Sequence, residues 1–232
     1  MRNIFYLISI IAIISGCATK PVALQNEFWN ESDKSVAVVI HELPEKGQLY
    51  KQGGQGLLDI VISSIATRNV HTHLGTLKAD AFLKVKEEAF AERLQQKGIR
   101  VVNYESLINL ESYPKIKAKD AQYDRDLSGL FSETGADRII ILQLQAFGAI
   151  RAYYGFIPLS PPQGFAAVDG VMVDKTDNKI LWRSGNSMQQ SSIQEPVIGE
   201  WDLPPDFVNL SEATQRAIEK SVTVLSDRFF SI

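Results

Sequence analysis

Residues 137–149 read DRIIILQLQAFGA, and the fold turns on them. The stretch begins as a continuous apolar run and then alternates. Ile141, Gln143, Gln145 and Phe147 fall on one side, and Leu142, Leu144 and Ala146 on the other. A short run rich in β-branched residues predicts a central strand buried on both faces, and the alternation that follows predicts its emergence toward an edge. Downstream, residues 165–173 and 179–188 predict two further strands. Between them stands DKTDN, residues 174–178, whose Asp and Asn side chains favour a tight turn. The three segments therefore include an antiparallel hairpin.

Upstream the pattern changes. Residues 35–43, SVAVVIHEL, and 99–104, IRVVNY, predict two strands. Residues 46–56 carry Gly47, Gly53, Gly54 and Gly56 and predict a loop. LLDIVISSIA, residues 57–66, predicts a helix, although its β-branched residues leave a strand open. Residues 78–97 predict an amphipathic helix with Ala79, Phe82, Leu83, Phe90 and Leu94 on one face, ended by Gly98. Residues 127–134 predict a helix stopped by Gly135. In the last segment Leu210, Ala213, Ala217, Ile218, Val222, Leu225 and Phe229 repeat at three- and four-residue steps. Asn209 is its expected N-cap, and Pro204 and Pro205 block backward extension. The expected class is α/β (α+β): a single mixed sheet of about five strands with helices packed on it and a C-terminal amphipathic helix.

At the other end of the chain, Arg2 precedes an apolar run, residues 4–14, closed by Ile14-Ser15-Gly16-Cys17. That run is too short for a bilayer span, which needs about 20 residues. An aliphatic residue, a small residue, glycine and then cysteine resemble the signal of a bacterial lipoprotein. The resemblance implies cleavage before Cys17 and lipid attachment there. By resemblance to enterobacterial sorting patterns, Ala18 in place of aspartate implies the outer membrane, on the periplasmic side. Cys17 is the only cysteine, so no internal disulfide is expected. The expected organisation is a signal peptide at residues 1–16, a flexible tether at 17–34 and one domain at 35–232.

Without residues 1–16 the chain keeps 23 basic and 27 acidic residues, a net charge of −4. This balance offers no footprint for nucleic acid. Lys115, Lys117 and Lys119 are followed by Asp120, Asp124 and Asp126 and read as a solvated face.

The hairpin region carries a second resemblance. Gly135-Ala136-Asp137 leads into the central strand, and Val173-Asp174-Lys175-Thr176 precedes Ile180-Leu181-Trp182. This pattern resembles small envelope lipoproteins with the fold shared by the curli-secretion lipoprotein CsgG, the peptidoglycan-synthase activator LpoB and the N-terminal domain of TolB. It implies a non-enzymatic scaffold or accessory factor in envelope assembly or secretion. An oligomeric secretion subunit and an envelope-anchored hydrolase are the alternatives. Residues 47–76 depart from the pattern in length, and no pair of long alternating strands suits a pore.

Candidate sites are few. His71 and His73 with the distant His41 are too few for zinc without a carboxylate, and they read as loop residues. Gly53-Gly54-Gln55-Gly56 lacks the lysine of a phosphate loop and reads as a flexible connection. Glu87 and Glu88 read as solvated charges. No Gly-x-Ser-x-Gly elbow is present. No catalytic residue, cofactor or metal is expected. The suggestive segment is residues 151–165, RAYYGFIPLSPPQGF, which joins two strands. Its Tyr153, Tyr154, Phe156 and Phe165 stand among three prolines and form the expected partner surface. An envelope protein or a second copy is the expected occupant, and the alternative role is packing over the sheet edge.

Overall fold

The computed structural model describes residues 20–31, 33–54, 56–185, 192–202 and 206–231. Cys17 with the signal segment, and Pro204 and Pro205, lie outside these residues.

Two long strands form the axis. β5 runs Arg138–Tyr154 and β7 runs Gln163–Asp174, paired antiparallel along almost their whole length. Shorter strands stack end to end along their outer edges. Beside β5 lie β1 (Ser35–His41), parallel to its first half, and β2 (Gln48–Gln52), parallel to its second half. Beside β7 lie β8 (Lys179–Arg183) and, further along, β9 (Ser192–Glu195). β3 (Arg100–Val102) and β4 (Leu107–Ile108) flank β1, and β6 (Ile157–Pro158) folds back on the end of β5. The sheet is mixed, as expected, but has nine strands and not about five. The main path across it is still only five strands wide, β3-β1-β5-β7-β8. The four extra strands are β2 and β9, which follow β1 and β8 along the long central pair, β4, which follows β3 beside β1, and β6 at the end of β5. One of these, β2, occupies the expected glycine loop. Gly148 opposes Gln48 at a φ of +135°, and a Cβ there would stand 2.1 Å from the Gln48 carbonyl, so the seam requires glycine.

A bulge decides which way the second half of β5 faces. The register with β7 shifts between Leu144 and Ala146, leaving Gln145 as the extra residue. One extra residue inverts alternation beyond it. Phe147 thus joins Leu142 and Leu144 in one core, while Ile139 and Ile141 serve the other. The unbroken alternation expected for residues 141–147 is corrected by this step.

Helices cover both faces. On one, Asp80–Lys86 (α3), a π-helical turn at Glu87–Ala91 and Glu92–Gln96 (α4) pack with the long Val208–Phe230 (α6) over Val36, Val38, Ile140, Leu142 and Met172. Trp182 meets Phe229 edge-on, with ring centroids 5.0 Å apart. Within the π turn Ala89 and Phe90 point inward, Phe90 as expected, whereas Leu83 in the preceding helix, expected in the core, is exposed. On the other face Ser128–Thr134 (α5) packs Leu130 and Phe131 against Val39, Ile139 and Val173. Gly135 ends α5 in the left-handed conformation, as expected. α6 begins after Phe207 without a side-chain cap, and Asn209, the expected cap, donates its amide to the Glu200 carbonyl instead.

The expected tether is a second correction. From Val22 onward it is fastened to the body. Val22 exchanges two backbone hydrogen bonds with Arg183. Leu24 and Phe28 are buried, and the rings of Phe28 and Trp29 pack around Phe229 and Phe230. Glu31 pairs with the buried Arg138, which also reaches Asp174 at 3.3 Å. The polar count of the segment hid three large apolar residues, Leu24, Phe28 and Trp29, whose burial fixes it. This strap also shields the outer edge of β8, which Gln122 bridges at its other end.

Candidate functional site

The four aromatics expected as one surface divide into two pairs. β5 keeps its alternation to the end, so Tyr153 points inward at 4% exposure and Tyr154 outward at 76%. A tight turn at Gly155 returns the chain as β6, with Tyr154 opposite Ile157. Phe156 stands exposed on that turn, joined by Ile157 and Leu159, which composition alone did not single out. Phe165 is buried, its ring 4.7 Å from that of Tyr50. Tyr153 and Phe165 are therefore packing residues, and Tyr154, Phe156, Ile157 and Leu159 form the exposed apolar tip.

A helix, Leu57–Ala66 (α1), stands beside this tip. Asp59 ties the two together. Its carboxylate accepts the Gly56 N–H at 2.8 Å, and it lies 3.4 Å from where a Cβ on Gly155 would be. Gly53 makes the same junction from the other side. With φ at +114°, a Cβ there would meet the Tyr153 carbonyl at 2.1 Å, so the expected flexible connection is a close backbone contact. Ile60, Ile62 and Ile65 of α1 are all exposed. At 100° per residue Ile62 and Ile65 share one side of the helix, and Ile60 points away from them. This continuity of uncovered apolar surface was legible only as a helix of doubtful type.

The collar of the tip is basic. Lys51 donates to the Ser64 hydroxyl at 3.5 Å and lies over the Tyr153 ring, and burial lowers its ammonium pKa. Arg151 donates to the Ser160 carbonyl at 2.6 Å and lies over the ring of Trp201. Arg68 opens the next helix, Arg68–Leu74 (α2), and is exposed.

A separate polar cavity of about 480 Å³ opens on the α5 face of the sheet. Gln143 and Asp169 oppose one another across β5 and β7 and line it with His41, Arg125 and Arg183. Its polar groups are largely committed to one another. Asp169 accepts from the Ser184 hydroxyl at 2.5 Å and the Gly170 N–H at 2.8 Å. Burial pushes its carboxyl up, against the pull of those bonds and of Arg183. Arg125 bonds the Tyr113 carbonyl and Glu111, and His41 bonds the Ile108 carbonyl. Burial pushes the nearby Tyr123 phenol up to about 12.

The expected loop histidines lie on α2 instead. His73 shares a 2.7 Å hydrogen bond with Ser211 of α6 and packs on Phe207, and burial lowers the pKa of both His71 and His73. Glu87 and Glu88 are exposed on the π turn. Among the described residues there is no cluster of three or more metal-ligating side chains, and no helix is long and apolar enough to cross a membrane.

No family model matches the chain, and no curated protein matches it in sequence. Three solved structures are similar at low identity. The hypothetical protein CT253 from Chlamydia trachomatis is 9% identical over 86% of this chain and 99% of its own, with a TM-score of 0.38. Protein XCC0632 from Xanthomonas campestris is 10% identical over 90% of each chain, with a TM-score of 0.41. Lipoprotein GNA1162 from Neisseria meningitidis is 14% identical over 70% of this chain and 83% of its own, with a TM-score of 0.28. With TM-scores below 0.5, none of these likenesses assigns the chain to a family.

Proposed function

We propose that this chain is a lipid-anchored protein of the bacterial outer membrane, facing the periplasm, that acts as a non-enzymatic scaffold or accessory factor in envelope assembly or secretion. The location rests on Ile14-Ser15-Gly16-Cys17, with Cys17 carrying the lipid. The mode of action rests on one observation, the exposed tip of Tyr154, Phe156, Ile157 and Leu159 beside α1. Large apolar side chains gathered at one end of a molecule mark a surface that another body covers. Lipid and tip divide the work between them: one fixes the compartment, the other makes contact, and no bond is made or broken.

The test is the double substitution Tyr154→Ser and Phe156→Ser in the membrane-anchored chain. Both side chains are exposed, so the melting temperature should shift by no more than about 2 °C. In intact cells, crosslinking from the tip to whatever covers it should fall several-fold. A large drop in melting temperature with crosslinking retained would make the tip a packing element and sink the proposal.

A further inference from the structure

We infer that the body covering the tip is the surface of a lipid bilayer, with the β5–β6 turn and α1 seated in its headgroup layer. The inference rests on the tip being the working surface and adds the identity of its occupant. The first support is the shape of the apolar surface. Tyr154, Phe156, Ile157 and Leu159 crown a hairpin, where side chains on both faces of the ribbon meet the same medium. On α1, Ile62 and Ile65 share one exposed side while Ile60 is exposed about 140–160° around the helix from them, so a flat protein face covering that pair would leave Ile60 in water. A fluid apolar layer surrounds them together. Ten residues make α1 about 15 Å long, too short to cross a bilayer and suited to lying within one leaflet. Tyr154 suits that depth, with its ring in an apolar layer and its hydroxyl at the rim, and Phe156 adds apolar area beside it.

Charge supplies the second support. Residues 48–70 and 150–165, which hold the tip and α1, contain three basic residues, Lys51, Arg68 and Arg151, and one acid, Asp59. Asp59 is turned inward to the Gly56 N–H. Glu200 and Asp202 flank Trp201, over whose ring Arg151 lies, so the basic side of the collar is that of Lys51 and Arg68. A basic collar beneath an apolar tip complements anionic headgroups. A symmetric contact between two copies of the tip would instead bring like collars together.

The test exploits Cys17 as the only cysteine. With Cys17 lipidated, Ile157→Cys introduces a single free thiol into the full anchored chain. Labelled with an environment-sensitive fluorophore and reconstituted in phosphatidylethanolamine–phosphatidylglycerol vesicles, it should be quenched about two-fold by lipids brominated on their acyl chains. The same label at Glu219→Cys, exposed on α6, should be unaffected. Quenching should weaken when phosphatidylglycerol is replaced by phosphatidylcholine or when salt is raised. If the label stays unquenched while a photocrosslinker at position 157 captures a protein or a second copy in cells, the bilayer reading is overturned and the tip remains a working surface. If the label stays unquenched and nothing is captured, both readings fall.

Discussion

Asp137 shows how a single residue closes the fold across great sequence distance. Its Oδ2 accepts the Ser35 N–H at 2.9 Å and the Ser35 hydroxyl at 2.8 Å, joining the starts of β1 and β5. These bonds hold the Asp137 carboxyl below the usual carboxylate range. A depressed folded-state pKa means that the bonds stabilise the fold above the ordinary aspartate pKa of about 3.9, and that this contribution is lost as pH falls through the lower folded value. Ser35→Ala should therefore cost about 1–2 kcal/mol at pH 7. Its stability should also fall less than the parent's between pH 5 and pH 2. Chemical denaturation across that range checks it, and parallel curves would mean that the Ser35 hydroxyl adds nothing to the Asp137 shift beyond the backbone bond. The turn of Gly135, Ala136 and Asp137 was legible in the sequence as punctuation before a strand. The partner of Asp137, 102 residues earlier, was not, because no local pattern encodes a contact between strands that only the sheet brings together. Tyr153 and Tyr154 teach the same lesson: two identical neighbours, one packed and one exposed, could not be told apart in the sequence, because the bulge at Gln145 reverses the alternation that leads up to them.

Among the elements, those marked by a persistent period or by clear turn chemistry were read correctly, and those that depend on distant partners were not. α6, the hairpin of β7 and β8, and α5 with its glycine stop follow from patterns that hold over many residues or from unambiguous turn chemistry. β2 was missed because its five residues sit among glycines whose role is to permit close backbone approach, a reason invisible without the partner strand. The strap was missed because its apolar residues are spaced irregularly around a short 3-10 turn, Asn26–Asn30. Its contribution to the fold is measurable. Phe28, 4% exposed, fills space between Arg138 and Phe229, so Phe28→Ala should cost about 3 kcal/mol or more. Limited proteolysis should then cut within residues 20–31 faster than in the parent chain. Unchanged stability and unchanged cleavage would show that the strap adheres without supporting the core.

For the whole molecule, the two ends of β5 are assigned different tasks. Near its start, strap, sheet and α6 meet in a dense aromatic cluster. At its far end the apolar tip stands open. The overall arrangement of a covered mixed sheet was legible in the sequence, whereas the tip was only half legible, since Ile157, Leu159 and the isoleucines of α1 acquire meaning through their exposure. The fastened strap also changes what the proposed anchor could do. A loose segment of residues 17–34 would permit a leash of about 56 Å, but fastening at Val22 leaves five residues of slack, about 17 Å at full extension. With Cys17 lipidated as proposed, the body would be moored close alongside its membrane and could not patrol the periplasmic gap. Splicing ten glycine-serine residues between Thr19 and Lys20 should leave folding intact while letting the body drift outward, seen as weaker energy transfer from a labelled α6 to the lipid surface. Function that survives such lengthening would show that closeness to the leaflet is incidental; function that fails would show that berth length is part of the design.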